Sequence, residues 1–283
     1  MPELSILIPA RNEEWLQKTI DDIFLHCEDI GNLEVIVGLD GASELEKIKL
    51  FATMGGNYYT LNHLIIETSK VVIGQRAMTN KLAKLSTAKY IMKCDAHVSF
   101  AQGFDRVLLA SMDDNTVMTP MLCRLDAKEW NIIATPFTKK YYFDTNMVFQ
   151  YGKQEDEKDS WGLVPTMSLQ GSCFVVSREK YWEWNLCDER YGSWGFQGSE
   201  TACKTWFNGG RVVTNTDTFY GHMFRGAGQN VTEIPYVRTK EEIEQAKMCA
   251  QELLKHPKMP WLIRKFNFPC DWSEEKITEL CKS

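Results

Sequence analysis

The residues best suited to chemistry are Asp95-Ala96-His97, which follow the apolar run Tyr90-Ile91-Met92-Lys93-Cys94. In an extended chain, residues i and i+2 point to the same side. A carboxylate and an imidazole so placed can grip one divalent ion at the carboxyl end of a strand, where open α/β sheets bind ligands. A mixed oxygen and nitrogen site suits Mn²⁺ or a related ion better than Ca²⁺. Taken alone, Asp-x-His also reads as a strand-end acid beside a solvated histidine. The rest of the chain must decide between the two.

An ion site of this kind needs a sheet to carry it. Leu4 to Ile8 reads as a short buried strand, and Asn12 is positioned to cap a helix with Leu16, Ile20, Ile23, Phe24 and Cys27 at helical spacing. Leu33 to Leu39 is a second strand ending at Asp40-Gly41, with a helix expected over Glu44 to Met54. Leu64 to Ile66, a loop and helix over Gly74 to Leu85, and the strand Tyr90 to Cys94 follow. Strands alternating with helices argue for a parallel sheet with right-handed crossovers.

Beyond Phe104 the pattern predicts a helix at Leu108 to Met112 and strands at Val117 to Leu122, Gly171 to Ser177 and Arg211 to Thr214. Tyr141 to Tyr151 is aromatic and β-branched, Gln154 to Ser160 reads as an exposed polar loop, and Thr201 to Phe207 is a helix ending at Asn208-Gly209-Gly210. Thr239 to His256 is a helical tail whose amphipathic pattern fits covering the domain, binding an acceptor or dimerising. The division expected is residues 1–237 as one catalytic domain, with halves 1–100 and 101–237, and 238–283 as a helical extension.

Bulk properties set limits. The 283 residues are 44% hydrophobic and 25% charged, ordinary for a globular protein, and the net charge of −6 gives no overall basic footprint for nucleic acid. Nine cysteines lack paired zinc spacing, and Cys27, Cys94, Cys173 and Cys203 sit in apolar segments, which reads as buried thiols in a reducing compartment. No apolar run is long enough to span a bilayer, so the expectation is a cytoplasmic protein with no membrane partner. On that reading Asn230-Val231-Thr232 is not a glycosylation site.

Here the motifs carry a resemblance. Ser5-Ile6-Leu7-Ile8-Pro9-Ala10-Arg11-Asn12-Glu13 and Val35 to Ser43 resemble the first two strands of nucleotide-sugar glycosyltransferases with the GT-A fold. Four later segments resemble the polypeptide N-acetylgalactosaminyltransferases: Asp95-Ala96-His97, Pro165 to Phe174, Tyr191 to Gly195 with Glu200, Trp206, Gly209 and Gly210, and Gly221-His222-Met223-Phe224-Arg225. The likeness runs from about residue 4 to residue 225, and the order of the motifs makes it specific. It implies a GT-A, Rossmann-like α/β fold: a mostly parallel central sheet flanked by helices, with a small antiparallel part and a helical tail.

The resemblance also implies roles. Asp95, His97 and His222 would ligate one Mn²⁺ (or Mg²⁺) that clamps the diphosphate of a UDP-sugar. Pro9, Arg11, Asp40, Arg76, Ala96 and Gly171 would line the nucleotide and donor site, with Asp40 on the nucleoside and Arg76 facing the uracil or diphosphate. Trp194, Gln197, Glu200 and Arg225 would be the catalytic set, Arg225 on a loop with Gly226 and Gly228 as hinges. On residue type alone, Arg76 reads equally as a surface cation, Trp194 as core and Glu200 as a helix N-terminal acid.

Gln197-Gly198 and Ser172-Cys173 depart from the family's pattern, which changes a contact to the sugar hydroxyls and the shape of the pocket. The family's membrane anchor and lectin domain have no counterpart in the segment read.

The leading expectation is a metal-dependent hexosyltransferase using a UDP-sugar; the resemblance implies transfer with retention, the departing phosphate taking the acceptor's proton. The hydroxyl acceptor stays open among a protein, a glycan or small molecule, and a hydroxymethylated DNA base. Lys139-Lys140-Tyr141-Tyr142 is a basic-aromatic cluster that would suit DNA, or a solvated loop. A nucleotidyltransferase and a non-catalytic nucleotide-sugar-binding protein are the alternatives.

Overall fold

The computed structural model describes residues 1–41, 63–152, 158–160, 162–226 and 238–282. The expected helix at Glu44 to Met54, most of the Gln154 to Ser160 loop, Gly228 and the Asn230 sequon lie outside these residues.

The centre is built by strands whose residues are apolar on both faces. β1 (Leu4–Ala10), β2 (Leu33–Asp40) and β4 (Tyr90–Cys94) are buried almost throughout, as parallel strands covered on both sides must be. β3 (Leu64–Ser69) lies beyond β2, and α1 (Leu16–His26) and α2 (Gln75–Leu85) supply crossovers. Alternation along the strands sorts the core into two layers. Leu7, Ile36 and Ile91 face a cluster with Met78 and Leu82 of α2. Ile6, Ile8, Val35, Val37 and Met92 face a second with Leu16, Ile20 and Ile23 of α1.

The other half adds β5 (Val98–Phe100), α3 (Phe104–Leu109), β6 (Thr116–Asp126), β7 (Asn131–Thr138), the hairpin β8 (Tyr141–Phe143) and β9 (Phe149–Tyr151), and β10 (Val164–Pro165). β11 (Cys173–Ser177), α4 (Arg178–Glu183), α5 (Gln197–Phe207) and β12 (Arg211–His222) complete it. Among the described residues the main sheet runs β10-β12-β6-β11-β4-β1-β2-β3, with β5 on β12 and β7 on β6. The β4-β1-β2-β3 portion and the β12-β6 pair are parallel, whereas β11 is antiparallel to both β4 and β6.

The tail forms α6 (Lys240–Leu254), α7 (Met259–Lys265) and α8 (Glu274–Leu280). Thr239 and Glu242 close a reciprocal capping box at the start of α6. Ala250, Leu262, Trp272 and Ile277 belong to the same buried cluster as Leu7 and Phe174, so the tail covers the domain. Every cysteine is a free thiol and seven are buried. No helix among the described residues is long and apolar enough to cross a membrane.

Several local expectations are corrected. Asn12 does not cap α1; it adopts a left-handed conformation at φ 50°, and the helix begins four residues later without a side-chain cap. The third helix starts at Phe104, α5 starts at Gln197, and β12 extends to His222. Tyr141 and Tyr142 are buried in β8, so the aromatic half of the basic-aromatic cluster is core. Asp95 to His97 is a bend between β4 and β5 and not a continuation of the strand.

Candidate metal and donor site

The bend brings the acid and histidine together, and the long β12 delivers the third group. His222 pairs with Val98 across the β12-β5 ladder, and the Met223 amide donates to His97 O at 3.2 Å. Asp95 Oδ2 lies 3.2 Å from His222 Nε2 and 3.8 Å from His97 Nε2. The three donor atoms all lie within 4.8 Å of one another. Ligands about 2.1 Å from an octahedral ion sit about 3 Å apart when adjacent, so this oxygen and two nitrogens fit one small divalent cation.

The electrostatics suit ligation. Burial would raise the Asp95 carboxyl, but Lys93 and the His222 contact outweigh it and hold the group below the usual carboxylate range. Burial pushes His222 down to about 4, against the opposing pull of Asp95, so its ring is neutral at pH 7. A neutral imidazole and an ionised carboxylate are the forms that bind metal.

A surrounding shell fixes these groups. His97 Nδ1 is 2.9 Å from Glu13 Oε2, which leaves Nε2 turned toward Asp95 and His222. Arg225 Nη2 donates to Glu13 Oε1 at 2.6 Å, tying the segment after β12 to the turn after β1. On the other side, Asp95 Oδ1 accepts from Lys93 and from Gln75 Nε2, the latter at 3.3 Å. The Asp95 amide donates to Ser172 O at 2.8 Å, and Lys93 Nζ donates to Gly171 O at 2.8 Å.

Asp95, His97 and His222 therefore converge, with Arg225 and Gly171 one residue away. Ala96 is buried in the bend, and Pro9 pairs with Gly38 at the same end of the sheet, two residues before Arg11. The Asp40 carboxylate accepts the Ile73 and Gly74 amides at 2.7 and 2.9 Å and so anchors the entry to α2.

Two of the remaining expected residues, Arg76 and Glu200, form a separate buried network. Arg76 is not a surface cation: it is 1% exposed and ion-paired with Glu200. Its guanidinium also donates to Gly195 O at 2.6 Å and lies 4.5 Å from the centre of the Tyr191 ring. Glu200 is fully buried, and its other oxygen accepts from Lys204 at 2.6 Å and the Asp188 amide at 2.9 Å. This network fastens the 188–195 loop between α2 and α5.

Gln197 is also buried, at the start of α5 beside Gly171. Gly198 is required there, since a Cβ would sit 1.8 Å from Leu169 O. Trp194 is 44% exposed and stacks at 4.2 Å on Arg238, so it is not core.

Sequence reasoning missed Glu13 and Lys93. Glu13 sits within the recognised first turn, but its partners are 84 and 212 positions away. A lysine in an otherwise apolar strand, two residues before the acid, was a visible signal for the other.

Comparison with known proteins agrees with this architecture. The model of glycosyl transferase family 2 matches residues 5–184, more than half of the chain, and the chain belongs to that family. It is 24% identical over 242 residues to polypeptide N-acetylgalactosaminyltransferase 3 of Homo sapiens, covering 80% of this chain and 37% of the relative. Polypeptide N-acetylgalactosaminyltransferase 13 of Rattus norvegicus is 25% identical over 239 residues, at 80% and 42% coverage. The chain thus spans less than half the length of these relatives.

Among solved structures, GalNAc-T7 with UDP, GalNAc and Mn²⁺ superimposes with a TM-score of 0.73 at 19% identity, covering 99% of this chain and 54% of that one. S. aureus TarS 1-349 with UDP-GlcNAc gives 0.56 at 12% identity, covering 98% and 70%. The fold is the GT-A fold.

Proposed function

We propose that this chain transfers a hexose from a UDP-sugar to a hydroxyl acceptor with the help of one divalent ion, Mn²⁺ in first place. The observation that carries the reading is the meeting of Asp95, His97 and His222 at the carboxyl end of the sheet. The family membership and the likeness to GalNAc-T7 with UDP, GalNAc and Mn²⁺ support it.

When bound by these three residues, the ion would neutralise charge growing on the departing diphosphate. Glu13 would keep the His97 ring oriented, and Arg225 would add a positive charge beside the same groups. Transfer goes with retention in this reading: the acceptor oxygen bonds to the anomeric carbon while the bond from that carbon to the diphosphate breaks. The acceptor's proton passes to the departing phosphate. Glu200 favours this route by default, since its carboxylate is committed to Arg76 and Lys204 and is not offered as a base.

The test is release of UDP from a panel of UDP-sugars, with Mn²⁺ and with a chelator. It is then repeated with protein, glycan and hydroxymethylated-DNA acceptors. Metal-dependent release from one sugar, lost in His97→Ala, supports the reading. A β-linked product from a UDP-α-sugar would overturn retention, and nucleotide transfer in place of sugar transfer would overturn the class.

A further inference from the structure

Lys93 stands where physical chemistry disfavours it. It is 1% exposed in the middle of the sheet, flanked along β4 by Met92 and Cys94 and aligned with Leu7 and Phe174 on the neighbouring strands. A buried ammonium is costly unless paired and hydrogen-bonded. Its partners are Asp95 Oδ1 and, at 2.8 Å, Gly171 O.

Two consequences follow. The first is geometric: with Oδ1 held by Lys93, Asp95 turns Oδ2 alone toward His222 and His97. The second is electrostatic. Lys93 balances Asp95, as Arg225 balances Glu13, so these four charged groups cancel around the three ligands. A bare divalent ion entering there meets a fixed cation one carboxylate away. A nucleoside diphosphate brings the missing negative charge.

We infer that Lys93 is a built-in counter-ion that weakens binding of the free metal and so couples metal to nucleotide diphosphate, making the two bind as a unit. The inference rests on the metal reading above. It assigns Lys93 a positioning and tuning role through Asp95, with no contact to the reacting atoms. By linkage, whatever factor the diphosphate contributes to metal affinity the metal contributes to diphosphate affinity. The Lys93 link to Gly171 joins the ion site to the 170–172 loop, so loss of the charge is felt in both.

The experiment titrates Mn²⁺ into the full chain, following free Mn²⁺ by electron paramagnetic resonance, without nucleotide and with saturating UDP. The variants are Lys93→Met, Lys93→Gln, Lys93→Arg and Asp95→Asn. Lys93→Gln keeps a donor toward Asp95 and holds the test open if Lys93→Met does not fold. The parent should bind Mn²⁺ weakly alone, and UDP should tighten it by about 100-fold, within the usual range of coupling.

Lys93→Met and Lys93→Gln should bind Mn²⁺ alone about tenfold tighter or more, because a cation near the ion is gone, and the UDP factor should shrink. Their melting temperatures should rise more on adding Mn²⁺ than the parent's, while Lys93→Arg should behave as the parent. Folded neutral variants that bind Mn²⁺ alone no tighter than the parent would overturn the inference and leave the metal reading standing. A parent that binds no Mn²⁺ even with UDP would overturn both.

Discussion

Glu13 Oε2 lies 2.9 Å from His97 Nδ1, and its other oxygen accepts from Arg225 at 2.6 Å. One buried carboxylate thus joins the turn after β1, the bend after β4 and the segment after β12. A carboxylate on the far nitrogen of a histidine fixes the ring and raises its basicity, and losing such a partner costs about 10–100-fold in metal affinity. Glu13→Gln should therefore weaken Mn²⁺ binding by about that factor while leaving the fold intact by circular dichroism. Unchanged affinity in a folded Glu13→Gln would show that His97 is oriented by something else.

The Arg76–Glu200 pair predicts an effect on stability. Both side chains are inaccessible to solvent, so removing one partner strands a buried charge. Glu200→Ala should lower unfolding free energy by about 3–5 kcal/mol in denaturant titrations. Replacing both together, as Arg76→Met with Glu200→Leu, should recover a substantial part. A stable Glu200→Ala that fails only in donor turnover would place Glu200 in the catalytic set.

The tail should prove part of the domain. Trp272 is 5% exposed and its indole N–H donates to Phe143 O at 3.0 Å. Trp272→Ala should cost about 3–5 kcal/mol, as large-to-small changes in cores do. A neutral effect on unfolding would mean that the three helices dock weakly.

The same junction predicts a pH dependence. Burial would raise the Asp271 carboxyl, but hydrogen bonds from Thr145 and the pairing with Lys276 bring it down to about 2 from 3.8. A carboxyl lowered on folding stabilises above its unfolded value and loses that contribution as pH falls through its folded value. Asp271→Asn should thus be less stable than the parent at pH 5, with the gap closing toward pH 2. A gap that stays constant would show that Asp271 does not titrate as an anchor.

The parts legible in sequence were those with short-range signatures. Tyr90 to Cys94 and Leu33 to Leu39 read as strands because burial on both faces makes the run continuously apolar. Asp95-Ala96-His97 was visible as a metal pair, and His222 through the family's motif order. The burial and pairing of Arg76 were not legible, since they depend on Glu200, 124 positions away. The Asn12 cap failed for a related reason: the next residue, Glu13, carries the contacts of that turn, reaching His97 and Arg225 and also accepting the Trp15 amide at 3.3 Å. The short helices α7 and α8 have seven residues each, too few for periodicity to declare them.

The central claim is that Asp95, His97 and His222 hold one divalent ion that in turn holds a nucleoside diphosphate. Calorimetric titration of UDP into the full chain, in Mn²⁺ and in chelator, with Asp95→Asn alongside, addresses it most directly. The account predicts UDP binding in Mn²⁺, its loss in chelator, and its loss in a folded Asp95→Asn. UDP binding that is equal in chelator and in Asp95→Asn, or absent throughout, would contradict it.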